Sequence, residues 1–364
     1  MTDLKFEFRD KALAPIWDKV STGKRLDMAD GLVLLRTLDL PSLSKMANWE
    51  TERRHGKKAY FVLNRQCNPT NVCVLDCKFC EFARRKGEDG GWVMGMEEIL
   101  AHGVGVHEVH MVGGLHPDWK FEKYREIVRA FRQTYPKLGL KAWTAVEIEW
   151  FARLERRSIK DILIDLKADG LDAVPGGGAE VFSERVRKEL FATKIGWDKW
   201  SEVHRSAHEL GIKSNATLLY GHIETYEERV DHMMKLRGLQ DEAPGFMAFI
   251  PLAFEPGQTG IPMGRQGAVE DARLIATSRL LLDNFQHIKA YWVLMSPEMA
   301  SIALNFGASD LDGTIGKEKI MHMAGNASPE GMAAEAMRRL VTEAGKIPRE
   351  RDIVYNLLPE PAFA

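Results

Sequence analysis

Apolar residues recur at helical spacing among charges over residues 8–55, as at Leu32, Leu34, Leu35 and Leu38, which predicts a helical preamble. From about residue 58 the texture changes to short apolar runs alternating with amphipathic stretches. Runs at 59–64, 108–112, 140–145, 171–174, 212–219, 246–252 and 288–294 read as strands, with a weaker eighth near 310–315. Helical patterns fall between them at 95–103, 120–135, 147–168, 179–190, 197–210, 225–240, 268–285 and 297–306. Seven or eight such alternations predict parallel βαβ units. Gly113-Gly114, Pro175-Gly176 and Gly221 directly follow strands, and polar, Gly-rich segments follow nearly all of them. That favours a TIM-like α/β barrel, full or partial, over an open doubly wound sheet, because in a barrel those strand ends converge on one face. The predicted organisation is a helical N-terminal extension at 1–57, a barrel core at 58–325 and a C-terminal helical appendage at 326–364, with a helix at 329–345.

The 364 residues suffice for a large core and for enclosing most of a ligand. Lys and Arg total 50 against 52 Asp and Glu, a net charge of −2, which leaves no electrostatic footprint for duplex nucleic acid. No apolar run approaches the ~18 residues of a membrane span. The first twenty residues are peppered with charge and lack the apolar centre of a signal peptide. The expectation is a soluble cytoplasmic protein with neither nucleic acid nor membrane as partner.

The four cysteines, Cys67, Cys73, Cys77 and Cys80, are crowded into one short stretch. A disulfide framework would spread its thiols to staple distant segments, so this crowding suggests metal. Residues 73–80 read CVLDCKFC. Three thiolates spaced C-x3-C-x2-C can hold a 4Fe–4S cluster and leave one iron open. An open iron can be chelated by the amino and carboxylate groups of S-adenosylmethionine. An electron passed to the sulfonium then cleaves the C5′–S bond and yields a 5′-deoxyadenosyl radical. Phe79 fits a hydrophobic cover over the site. The alternative is structural zinc, since Cys67 extends the set to C-x5-C-x3-C-x2-C. Zinc sites, however, use separated pairs that pin distant segments, so the spacing favours the cluster. Cys67 reads as a small buried residue.

Other candidates follow the later strands. Gly113 and Gly114 end the second strand and would leave backbone groups bare for the amino group of a bound cofactor; an ordinary tight turn is the alternative. Glu147 sits at a strand end or first helical turn, where it could accept hydrogen bonds from ribose hydroxyls or simply favour the helix terminus. Gly176-Gly177-Gly178 precede a predicted helix and would offer N–H groups to a carboxylate or phosphate. The spacing is neither that of a dinucleotide fingerprint nor that of a P-loop. Arg185 and Arg187 could grip a carboxylate or lie solvated on the helix surface. Asn215, Thr217, Tyr220, His222, Lys289 and Tyr291 fall at or near strand ends, either buried with partners or lining a pocket.

The cysteine motif with NPTNVC, EVHMVGGLHP, KAWTAVEIEWFA, PGGGAEVF, KSNATLLYGHIET, FIPLAF, LDNFQHIKAYW and DLDGTIGKEKI resembles the aminodeoxyfutalosine synthases, a family of radical S-adenosylmethionine enzymes. The resemblance covers nearly all of 60–325. The related dehypoxanthine futalosine cyclases share the cysteine loop, GGLHP and PGGGAE, whereas KAWTAVEI, SNATLLYGHIET and HIKAYW lean towards the synthases. Glu81 stands where the family pattern has alanine, and Cys67 where an apolar residue is expected. The resemblance implies a radical SAM barrel and a transferase of the futalosine route to menaquinone. The adenosyl radical would add to the enol ether of 3-[(1-carboxyvinyl)oxy]benzoate; aryl migration and decarboxylation would then give 6-amino-6-deoxyfutalosine. It also implies Cys73, Cys77 and Cys80 as cluster ligands, and Gly113, Gly114, Glu147 and Arg187 as cofactor contacts. Tyr220 and His222 would be substrate contacts, S-adenosylmethionine a consumed co-substrate, and flavodoxin or ferredoxin the electron donor. It names no catalytic acid or base.

Overall fold

The alternation of apolar runs and amphipathic helices is realised as ten strands among the residues that the computed structural model describes, 7–262 and 267–359. They are β1 (Lys58–Val62), β2 (Asn64–Cys67), β3 (Glu108–Met111), β4 (Gly139–Ala142), β5 (Ala173–Val174), β6 (Lys213–Tyr220), β7 (Phe246–Ala253), β8 (His287–Ile288), β9 (Asp310–Gly313) and β10 (Ile347–Glu350). Strands β2 to β8 form one sheet in chain order, parallel throughout. Residues 310–316 bridge both its edges, Asp310 pairing in parallel with Lys289 and Gly316 with Arg65. The sheet therefore curls round as the barrel that the strand–helix pattern predicts. A second, three-stranded parallel sheet has the order β10-β1-β9.

Helices cover the outside for the usual amphipathic reason. The helix Phe121–Thr134 buries Phe121, Tyr124, Ile127, Val128 and Phe131, residues three and four apart on one face. In the predicted extension, Leu13–Ser21, Met28–Arg36 and Leu40–His55 are helical. Met28–Arg36 packs closely on Tyr226–Glu242: a Cβ at Gly31 would lie 2.8 Å from Val230 Cγ1. Arg25 ties the same region to Asp241 at 2.6 Å and Asp283 at 2.7 Å. Residues 1–6 of the extension and 360–364 of the appendage lie outside the described residues.

Several predicted elements change. The run 59–64 is two strands, and only β2 joins the barrel. Its polar residues Arg65 and Gln66 hide it in the hydropathy pattern, and Asn64 fixes the switch of sheet by accepting the Ile315 N–H at 2.9 Å. The pattern at 147–168 is two helices, Ala145–Glu155 and Ile159–Asp169, broken by left-handed Arg156 and restarted by the Ser158 cap. The helix predicted at 179–190 starts at Glu184, where Ser183 caps it. The run 288–294 keeps only His287–Ile288 as strand and turns helical at Trp292–Met295. The appendage is not purely helical: after its helix Ala334–Glu343 it adds β10 to β1.

Behind β10, Arg351 enters the barrel bore. There Glu108–Lys141 pair at 2.7 Å, Arg351–Asp310 at 2.7 Å and Lys289–Asp312 at 2.8 Å, all six side chains buried. Three cations and three anions fill the bore as a neutral layer. Pairing is the condition on which charges are tolerated in so dry a place.

Candidate active site

Above that layer the barrel opens into a cavity of about 300 Å3 at the strand C-termini. Cys73, Cys77 and Cys80 all stand on its wall, on the loop that follows β2. Main-chain bonds hold this loop: Cys73 N–H donates to Arg84 O at 2.9 Å, Lys78 N–H to Leu190 O at 2.8 Å and Cys80 N–H to Cys77 O at 3.1 Å. Burial pushes the Cys77 thiol up to about 12 and raises that of Cys80, with the nearby Lys194 ammonium pulling both the other way. Burial works against the charge of Lys194, but Glu180 and the Cys77 and Cys80 sulfurs outweigh it and hold its pKa above the ordinary lysine value. Lys194 pairs with Glu180 and lies 5.2 Å from the Phe79 ring centroid.

Soft thiols beside a fixed cation suit a group that requires thiolates. Among the described residues, no three His, Cys, Asp or Glu side chains converge on one point as a single ion would require. A cluster takes its thiolates on different irons, so its ligands stand apart. Cys67 points elsewhere, wholly buried in the apolar core.

Gly113 and Gly114 line the cavity, for a reason the sequence did not disclose. A Cβ on Gly114 would stand 2.3 Å from Val72 O, so glycine lets β3 pass against the segment leading to the thiols. Both amides are used internally, Gly114 N–H by Thr70 O at 2.8 Å and Gly113 N–H by Glu147 Oε1 at 3.1 Å. Carbonyl oxygens remain for a ligand. Glu147 also accepts Thr144 N–H at 2.6 Å and Thr144 Oγ–H at 2.8 Å. It is thus the third residue of a capping box that ties the ends of β3 and β4 together. Burial pushes its carboxyl up to about 7, opposed by those hydrogen bonds.

Gly176, Gly177 and Gly178 also line the cavity, but no helix begins at them. A Cβ on Gly176 would lie 2.7 Å from Ala216 Cα, so this run serves close passage over β6.

Residues 67–236 match the model of the radical SAM superfamily, and residues 243–363 match the CofH/MqnC C-terminal region. An aminodeoxyfutalosine synthase from Thermus thermophilus is 48% identical, the match covering 96% of each chain. The chain belongs to the aminodeoxyfutalosine synthase family. It is a radical SAM enzyme whose cofactors are a 4Fe–4S cluster and S-adenosylmethionine. A 5-amino-6-(D-ribitylamino)uracil–L-tyrosine 4-hydroxyphenyl transferase from Methanoculleus marisnigri is 36% identical over 95% of this chain and 98% of its own. The crystal structure of methylornithine synthase shares the fold, with a TM-score of 0.71 at 18% identity over 92% of this chain and 97% of that one. Among the described residues, no helix is long and apolar enough to cross a membrane.

Within this synthase-family barrel, five of the candidates lie away from the cavity wall. Arg187 is turned back on its own helix: it pairs with Glu184 at 2.9 Å and donates to Ala192 O at 2.8 Å and Lys194 O at 3.3 Å. It thereby fixes the loop that carries Lys194. Tyr220 is buried and donates to Asp271 Oδ1 at 2.5 Å. His222 accepts the Ile223 N–H at 2.8 Å and sits 2.9 Å from Glu224, which pairs with Arg229 at 2.7 Å. Lys289 is committed to Asp312, and Arg185 to Glu228 at 2.7 Å.

The cavity instead holds residues not singled out in the sequence: Gln66, His110, Glu180, Lys194, Asp312 and Glu318. His110 and Gln66 carried a faint signal, polar residues at inward strand positions. Lys194 carried none, because the loop of 191–196 has no periodicity to place it.

Proposed function

We propose that the chain is an aminodeoxyfutalosine synthase. It joins the 5′-deoxyadenosyl unit of S-adenosylmethionine to 3-[(1-carboxyvinyl)oxy]benzoate, with aryl migration and loss of a carboxyl carbon, to give 6-amino-6-deoxyfutalosine for menaquinone synthesis. The observation that carries this reading is the gathering of three thiols at the loop end of one barrel cavity in a chain of this family. Cys73, Cys77 and Cys80 would hold the cluster and leave one iron without a protein ligand. When bound, it supplies the single electron that cleaves the sulfonium C5′–S bond.

The chain's own residues bind, orient and keep water out. Val112, Leu219, Ile250, Leu252, Phe254 and Leu294 form the apolar wall, which excludes solvent from a reactive intermediate. Gly113 and Gly114 offer carbonyl oxygens to the methionine ammonium. Glu147 fixes that strand end and stands beside the ribose. Lys194 balances the negative charge that thiolates bring into a buried place. Arg187, Tyr220 and His222 act at one remove, by holding the surrounding loops. A small electron carrier, flavodoxin or ferredoxin, delivers the electron in the cytoplasm.

The test is anaerobic. The protein is reconstituted with iron and sulfide and given S-adenosylmethionine, reductant and the enolpyruvyl benzoate, and the adenosine-containing product is weighed by mass spectrometry. A product carrying both adenosyl and benzoate units is expected. Free 5′-deoxyadenosine with untouched benzoate would sink the reading.

A further inference from the structure

Residues 73–80 carry neither helix nor strand, so the three thiols owe their places to what the loop rests on. One support comes from far along the chain, the segment that leaves the helix Glu184–Leu190. Lys78 N–H donates to Leu190 O at 2.8 Å, the Thr193 hydroxyl donates to the Asp76 carboxylate, and the Phe79 and Phe191 rings meet edge to face with centroids 5.8 Å apart. Lys194 ends this clip. Its N–H donates to Phe191 O at 2.9 Å, and Arg187 donates to its carbonyl at 3.3 Å. The ammonium therefore has a set place, 5.2 Å from the Phe79 ring centroid and paired with Glu180, on a wall shared with Cys73, Cys77 and Cys80.

The partner is equally fixed. Glu180 has left-handed backbone, φ 44°, and its carbonyl accepts the Leu219 N–H from β6 at 2.9 Å. The Lys194 and Glu180 side chains are 13% and 11% exposed, a mostly dry setting in which a unit charge is felt more strongly than in water. Both ends of the pair reach the thiols. Burial raises the Cys77 and Cys80 thiols; the ammonium pulls both down, and the Glu180 carboxylate adds to the rise at Cys77. Among the described residues the cavity wall carries six carboxyl side chains and this one ammonium. A group that gains negative charge there has a single cation to stabilise it.

We propose that Lys194 and Glu180 are an opposed pair that sets the reduction potential of the iron–sulfur cluster, the lysine raising it and the glutamate lowering it. Reduction takes one electron from an external carrier into the oxidised cluster, with no bond made or broken and no proton moved. It adds one negative charge beside three thiolates, which a neighbouring cation stabilises and a neighbouring anion penalises. The inference rests on the ligand set of the proposed function, Cys73, Cys77 and Cys80.

The experiment is a redox titration of the reconstituted holoenzyme with titanium(III) citrate, followed by electron paramagnetic resonance. S-Adenosylmethionine is left out, so that its carboxylate takes no part. At the potential that half-reduces the wild-type cluster, Lys194→Met should cut the ratio of reduced to oxidised cluster about tenfold, ~59 mV for one electron. Glu180→Gln should raise that ratio by a similar factor, and Lys194→Arg, which keeps the charge, should stay within about twofold of the wild type. Loosened packing would not move the first two variants in opposite directions. Iron analysis and visible absorbance show whether each variant holds its cluster. If Lys194→Met does not, Glu180→Gln and Lys194→Arg still decide the matter. Wild-type potentials in both Lys194→Met and Glu180→Gln, or shifts of the same sign, would overturn the inference. So would a Lys194→Met variant that binds S-adenosylmethionine weakly at an unchanged potential, since the ammonium would then serve the cofactor and not the cluster. A wild type that takes up no cluster would remove the ligand set, and this inference with it.

Discussion

Toward the strand starts, each of the six charges in the bore is paired: Glu108 with Lys141, Arg351 with Asp310, Lys289 with Asp312. Toward the strand ends, Asn215 Oδ1 and His110 Nε2 lack partners among the described residues, the Cys77 thiol is held at about 12 and the Glu147 carboxyl at about 7. The same strands build both regions. Where the bore is plugged, neighbours on β3, β4, β8 and β9 and the inserted Arg351 pair their charges with one another, although Arg351 Nη2 makes no hydrogen bond among the described residues. Where it is open, unpaired polar atoms and shifted titrating groups lie beside the cavity. Left-handed backbone occurs in both regions, at Glu180 (φ 44°) on the cavity wall and at Asp312 (φ 67°) in the paired layer. Strain of this kind persists only where the surrounding structure enforces it.

The sharpest way to break the comparison is at the open end. Cys77→Ala should abolish both iron–sulfur incorporation, read by iron analysis and visible absorbance, and turnover. Its apo-chain should unfold within about 1 kcal/mol of the wild type, because the thiol is only a small group packed at the edge of the core. Retained iron at the wild-type ratio would show that the ligand set is wrong.

At the plugged end the effect should fall on stability. Arg351→Met strands Asp310 and Glu108 in the bore, and breaking a buried pair costs about 3–5 kcal/mol. Denaturant unfolding of the apo-chain would measure it. A loss below about 1 kcal/mol would mean that the ion layer is not a structural plug.

Glu147 links the two ideas through pH. Its carboxyl titrates at about 7 when folded against an ordinary value of 4.5. The native state therefore keeps a proton that the unfolded chain has already lost. Its contribution is full below about pH 4.5 and is lost as pH rises to about 7, by up to about 3 kcal/mol. Glu224 behaves in the opposite sense. Main-chain N–H groups of Gly221 and His222 and the Arg229 guanidinium overcome its burial and hold it at about 2, so its contribution is present above pH 4.5 and fades as acid approaches pH 2. Against Glu147→Gln, the wild-type apo-chain should lose relative stability between about pH 5 and pH 8 in urea unfolding. Parallel profiles would show that Glu147 does not titrate in that window.

The smallest effect should come from Cys67→Ala, at about 1 kcal/mol of stability from a slightly emptied core, with iron content and turnover unchanged. Loss of iron in that variant would restore the four-thiol alternative.

Much of this was legible along the chain. The spacing of Cys73, Cys77 and Cys80 and the strand–helix alternation are local patterns, and the capping box at Thr144 and Glu147 is written in four consecutive residues. Strand β2 was hidden because Gln66 faces the polar cavity while Arg65, on the opposite face, reaches the partly exposed Ala101 O, so the two break the apolar run that marks a strand elsewhere. β10 was hidden because its residues are only half-buried, which leaves no hydrophobic period to detect.

What the amino-acid sequence determined by itself was periodicity and the spacing of the three thiols, each set by residues within a turn or two of one another. Tertiary structure alone decided which polar side chains meet the cavity. Arg187, on a helix that looked well placed, is consumed by Glu184 and by the carbonyls at 192 and 194, while Lys194 on a featureless loop reaches the thiols. Asn215 and Thr217 are two residues apart on one strand face, yet among the described residues Thr217 finds a partner, because the glycine run brings Gly176 O to it, while Asn215 Oδ1 does not. Hydrogen-bond satisfaction depends on atoms within about 3 Å, and in a barrel those atoms come from strands and loops far apart along the chain.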